Sequence, residues 1–98
     1  MKRPFVVIRT RGPAWDESRP LEGQKDWTGH AAFMDGLVAE GFVLFGGPLE
    51  GTRDAVLVVR AEDSSEVLAR LASDPWIRNG ILVEKECRLW QIRLGSLR

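Results

Sequence analysis

The chain has 98 residues, 44% hydrophobic and 29% charged, which is enough apolar material for one packed core and too much for a disordered chain. Its 14 Lys and Arg are balanced by 14 Asp and Glu, so no basic excess is present to attract nucleic acid. Cys87 is the only cysteine, which excludes an intrachain disulfide and a cysteine-built zinc site within one chain.

Residues 4–10, PFVVIRT, are rich in β-branched and aromatic side chains and are closed by Gly12-Pro13, the pattern of a first strand. The apolar run after Lys2 and Arg3 returns to charge at Arg9 and Arg11. That is too short for a signal peptide or a membrane span, and it predicts a cytoplasmic protein with no membrane partner. Residues 12–26 are polar and turn-rich, and a connection of this length in a small domain is a candidate lid.

Phe33, Met34, Leu37 and Val38 recur at helical spacing within residues 27–40, and Gly41 follows as a helix-ending residue. A second strand over residues 42–45 runs into Gly46-Gly47-Pro48, with Pro48 ending its pairing. The GGP segment lacks the spacing of a nucleotide-binding loop. Turn residues 51–54 lead to a third strand over 55–60, AVLVVR.

Asp63-Ser64-Ser65-Glu66 is a capping box that starts a second helix, whose apolar stripe is Val67, Leu68, Leu71 and Ala72. Asp74-Pro75 stops that helix, because a residue before proline disfavours helical torsions. The last strand is read over residues 82–94, with a parity change that predicts a bulge near Leu89.

The order β-α-β-β-α-β predicts an α+β, ferredoxin-like fold over residues 1–98: a four-stranded antiparallel sheet with two helices on one face. The strands FVVI, FVLF and AVLVV are apolar on both faces, although two helices cover one. A second copy of the sheet would cover the other, so a homodimer in the form of a dimeric α/β barrel is expected.

His30, the only histidine, falls in register with Met34 and Leu37 on the core-facing stripe near the helix start. It is either a structural histidine bonded to a nearby carbonyl or a proton-transfer group, and the second reading requires a partner. Asp74, placed at a helix end where the dipole disfavours a negative charge, needs a donor or a cation. It is either an Asp-Pro turn residue capping local amides or that partner. Helices on one sheet face can bring the two together, and a carboxylate on one imidazole nitrogen would make the other a general base. Arg9, the Gly47 backbone and Trp76 complete the candidate ligand-binding set. Arg9 suits a carboxylate or phenolate or is a solvated strand-end residue, and Trp76 lines a pocket or fills core.

The segment RGPAW, the run His30-Ala31-Ala32-Phe33-Met34, the turn Gly46-Gly47-Pro48 and the stop Asp74-Pro75-Trp76 together resemble the YCII-related family across nearly the whole chain. That resemblance implies a dimeric α/β-barrel protein in which His30 and Asp74 match the family's His and Asp pair, regarded there as an active site. Related barrels include isomerases, dehalogenating enzymes and cofactor-free oxygenases.

No serine or cysteine nucleophile sits in a recognisable setting, and one His with one Asp is too few ligands for a usual zinc site. The expectation is therefore an enzyme without cofactor or metal. It would perform acid-base chemistry of a lyase or isomerase kind on a small cyclic or aromatic organic acid. The alternative is a non-catalytic metabolite-binding or regulatory module using the same pocket.

Overall fold

The computed structural model describes residues 1–96. Strand β1 spans Arg3–Arg11, helix α1 Trp27–Ala39, β2 Val43–Pro48, β3 Asp54–Ala61, α2 Ser64–Leu71, α3 Pro75–Arg78 and β4 Leu82–Leu89. One 3-10 turn, Leu21–Gly23, interrupts the connection between β1 and α1. The sheet order is β2-β3-β1-β4 with every pair antiparallel, which is the ferredoxin-like arrangement expected from the element order.

Alternation along the strands divides the sheet into two faces. Phe5, Val7, Leu57 and Val59 turn towards the helices and pack with Leu37, Phe42, Val67 and Leu71 into one buried cluster. Val6 pairs with Val58 and Ile8 with Val56, so these four occupy the opposite face, beside Phe45 on β2. Phe45 is 55% exposed there. On β4 the same face carries Glu86 and Arg88, a charged margin that the apolar runs of the other strands did not foretell.

The capping box forms as read: the Asp63 carboxylate accepts from the Glu66 N–H at 2.8 Å, and the Glu66 carboxylate accepts from the Glu62 N–H at 2.7 Å. β2 does not end at Phe45 but pairs through Gly46, Gly47 and Pro48. It is an edge strand, where a proline's missing N–H leaves no ladder bond broken. Gly46 also permits its close approach to β3, since a Cβ there would lie 2.5 Å from Leu57 Cδ2 and 2.7 Å from the Val56 carbonyl oxygen.

β4 ends at Leu89 rather than Leu94, because its partner runs out: Leu89 already faces Phe5, and the Trp90 N–H bonds the Pro4 carbonyl near the start of β1. Its irregularity is not near Leu89 either. Ile8 faces Glu86 whereas Arg9 faces Glu84, which leaves Lys85 without an opposite number. In a regular ladder Lys85 would oppose Arg9. The bulge substitutes a carboxylate for a second cation on the helix-covered face.

α2 ends at Leu71, and Asp74 is the N-cap of α3, not a carboxylate at a helix C-terminus. The chain turns out of α2 before the proline, and Pro75 then starts a new helical turn at the first position, where its missing N–H costs nothing.

Leu37→Ala should lower the unfolding free energy by about 2–5 kcal/mol in urea titration, since Leu37 is 4% exposed within the main cluster. Val38→Ala, at a position 49% exposed, should change it by less than about 0.5 kcal/mol.

Candidate functional site

α1 and α3 meet at the end of the sheet where Arg9 and Glu84 face each other, and their first turns supply the remaining groups. Asp74 caps α3 by accepting from the Trp76 N–H at 2.9 Å, which fixes the carboxylate at the start of that helix. Its two oxygens lie 2.9 and 3.0 Å from His30 Nδ1, on the first turn of α1. Oδ2 also lies 3.0 Å from Arg9 Nη1, and both Arg9 and Asp74 are almost fully buried. Arg9 uses its other donors on Glu84, with Nε at 2.9 Å from Oε1 and Nη2 at 3.1 Å from Oε2.

One buried cation therefore joins two carboxylates, and one of those holds the histidine. Burial alone would push the Asp74 carboxyl up. The hydrogen bonds from His30 and the Trp76 amide, with the charge of Arg9, outweigh that and hold it below its ordinary value. An ionised Asp74 requires a hydrogen on Nδ1, so the neutral imidazole carries its lone pair on Nε2. Nε2 has no protein hydrogen-bond partner among the described residues, and His30 lines an open cleft.

The ring plane is fixed separately. His30 stacks on Trp76 with centroids 3.8 Å apart and planes within 4° of parallel. Trp76 is fully buried and donates from Nε1 to the Lys25 carbonyl at 2.7 Å, so the platform itself is pinned. Trp27 and Trp15 pack around it, Trp15 edge-on at 5.8 Å.

The cleft has a volume of about 370 Å³, within the range of small-molecule sites. His30, Trp76, Trp27, Met34 and Leu57 line it, together with the charged residues Arg11, Arg19, Arg53, Glu17 and Asp54. The segment 12–26, read as a candidate lid, contributes Trp15, Glu17, Arg19, Pro20 and Leu21. It is held in shape by the buried Gln24 side chain, which donates to the Asp16 and Arg19 carbonyls at 2.8 and 3.0 Å.

Of the five residues singled out from sequence, His30, Asp74, Arg9 and Trp76 form one contact network, and Gly47 lines the same cleft from the β2 edge. Arg9 is not a solvated strand-end residue: it is 1% exposed, with its donors turned to the Asp74 and Glu84 carboxylates and the Met34 sulfur. Glu84, Trp15, Trp27, Arg11, Arg53 and Glu17 were not singled out. Trp27 shares the first turn of α1 with His30, a proximity visible in the sequence. Glu84 was hidden by the bulge. Among the described residues no group of three or more His, Cys, Asp or Glu is arranged to hold a metal ion, and no helix is long and apolar enough to cross a membrane.

Removing Arg9 leaves Asp74 and Glu84 without their shared cation, so Arg9→Met should cost about 3–5 kcal/mol of folding stability in urea titration. The depressed Asp74 carboxyl gives a second test. A carboxyl that binds its proton less tightly when folded stabilises the fold fully above its ordinary value of 3.8, and loses that contribution as pH falls through the lower folded value. The stability gap between wild type and Asp74→Asn should therefore be widest near neutrality and narrow in acid. A gap constant down to the acid transition would show that the charge of Asp74 contributes nothing.

A comparison with family models finds no match, and a comparison with curated protein sequences finds none either. Among solved structures, the chain is similar to 5-chloro-2-hydroxyhydroquinone dehydrochlorinase from Burkholderia phenoliruptrix in complex with 2,5-dihydroxybenzoquinone. The TM-score is 0.64 at 21% identity, over 94% of this chain and 95% of that one. Over that span the chain shares the α+β fold of that protein.

Proposed function

We propose that this protein is a small-molecule enzyme of the YCII-related kind, in which His30 moves a proton on a small cyclic or aromatic organic acid. The single observation that carries this reading is the Asp74 carboxylate on His30 Nδ1, with Nε2 left unpartnered beside the cleft. A buried carboxylate on one imidazole nitrogen fixes the tautomer, raises the basicity of the other, and balances the imidazolium formed when Nε2 takes a proton.

The steps this permits are narrow. Nε2 accepts a proton from a substrate carbon or hydroxyl, and then either returns it at another position or keeps it while a leaving group departs. The first is an isomerisation and the second an elimination. The tryptophans in the cleft lining suit an aromatic ring, and the arginines there suit an acid. A dehydrochlorinase of the same fold, seen with a dihydroxybenzoquinone, supports a small cyclic substrate and elimination chemistry.

The active form we propose is a homodimer in the cytoplasm, paired through the sheet face that carries Val6, Ile8, Val56, Val58 and Phe45. An apolar sheet face of this kind is covered most economically by a second copy of itself. Sedimentation at micromolar concentration should show a dimer, and a stable monomer across that range would remove this part of the proposal.

The catalytic reading is tested with 5-chloro-2-hydroxyhydroquinone and a panel of small cyclic acids, following chloride release and solvent deuterium uptake. The wild type should turn over at least one of them, and His30→Ala should be slower by about 10²–10⁴-fold with the fold intact. Binding without turnover, seen as a shift of the single histidine's ring resonances, would instead make this a metabolite-binding module. Unfolding of His30→Ala as severe as that of Leu37→Ala would make the histidine structural.

A further inference from the structure

Besides the buried Arg9, three arginines line the cleft, and their surroundings differ. Arg19 pairs with Asp16 at 3.3 Å, away from the other two. Arg11 and Arg53 instead share one carboxylate: Glu17 Oε1 lies 3.1 Å from Arg11 Nη1, and Glu17 Oε2 lies 2.7 Å from Arg53 Nη1. All three residues line the cleft that holds His30. They come from three separate places in the chain, namely the end of β1, the turn between β2 and β3, and segment 12–26.

This is the geometry in which two guanidinium groups receive a carboxylate, and here the carboxylate belongs to the protein. We propose that Arg11 and Arg53 form the anion subsite of the cleft, and that Glu17 occupies it until the acidic group of a ligand takes its place. The inference rests on the cleft being the ligand site, and adds which residues select for an acid and what the ligand must displace.

Three features make Glu17 replaceable. Its side chain is 55% exposed and that of Arg53 57%, so both pairs are solvent-screened contacts of the weak kind that exchange readily. Arg11 keeps its position without Glu17, because its guanidinium lies 4.6 Å above the Trp15 ring. Segment 12–26 has its own anchors in Gln24 and in the Gly12 and Ala14 amides, which bond the Ile81 and Gly80 carbonyls at 2.8 and 2.9 Å. Releasing Glu17 therefore frees a side chain and leaves the backbone in place.

Exchange of one carboxylate for another at the same pair of cations conserves charge at the subsite. A neutral ring gains nothing there, since it would break two ion pairs without replacing them. The cleft would thus discriminate for acids through competition as well as attraction.

The test uses benzoate and benzyl alcohol as probes, with titration calorimetry and quenching of the cleft tryptophans, on wild type, Glu17→Gln and Arg53→Gln. Glu17→Gln should bind benzoate about three- to tenfold more tightly than wild type, and benzyl alcohol equally well. Arg53→Gln should weaken benzoate by a similar factor and leave benzyl alcohol unchanged. Benzoate bound by Glu17→Gln alone would also support the proposal. Unchanged benzoate affinity in Glu17→Gln would overturn it while leaving the cleft as a ligand site. Weaker binding of both probes would make Glu17 a structural clasp and overturn it as well. Failure of all three proteins to bind either probe would overturn the aromatic-ligand reading and this inference with it.

Discussion

The Asp74 carboxylate is the constraint on which the rest of the site depends. It accepts from three directions at once, from the Trp76 amide, from His30 Nδ1 and from Arg9, and it is wholly buried while doing so. A buried charge is tolerated only when its lone pairs are used, and here two of the three contacts tie other elements to α3. The amide bond sets the carboxylate at the first turn of α3, Arg9 ties it to the central strand β1, and His30 ties it to α1. Removing the carboxylate would undo the agreement among three elements.

The second constraint lies in the sheet, at the bulge opposite Arg9. A buried arginine on a central strand needs a counter-charge on its own face, and one carboxylate at Asp74 already serves two other donors. Skipping Lys85 turns Glu84 towards Arg9 and gives the guanidinium a second, two-pronged partner. The irregularity of β4 is therefore tied to the charge on β1. It also places Lys85 outward, where it reaches Asp54 at 3.2 Å on the solvent side.

Much of the fold was legible in the sequence because its signals are local. The apolar strand runs, the Asp63–Glu66 box and the helical recurrence of Phe33, Met34 and Leu37 each depend on residues within a few positions of one another. So does the placement of His30 on the inward face. The misreadings share the opposite property. Whether β2 can continue through Gly46-Gly47-Pro48 depends on its being an edge strand, and where β4 ends depends on where β1 begins. The Lys85 bulge depends on the identity of Arg9, some 76 residues away in sequence, as the pairing shows. Asp74 was singled out for a reason the structure reverses: it needs a partner because it is buried, while the helix end at which it sits favours its charge. The acidic and basic rim was invisible for a simpler reason, since Arg11, Glu17 and Arg53 look like ordinary surface charges until the chain is folded.

An imidazole has two orientational freedoms that matter for proton transfer, which nitrogen carries the hydrogen and which way the ring plane lies. Separate residues fix them here. Asp74 holds the hydrogen on Nδ1, and the parallel stack on Trp76 sets the plane. Trp76 can serve as that platform because its own indole N–H is spent on the Lys25 carbonyl, so the ring cannot swing to follow the histidine. The same tryptophan supplies the amide that caps Asp74. Side chain and backbone of one residue thus locate both the histidine and its partner, and a movement of α3 would carry the pair together. Among the described residues only Nε2 is left without a protein partner, and its lone pair is held in one direction beside the cleft by these two contacts.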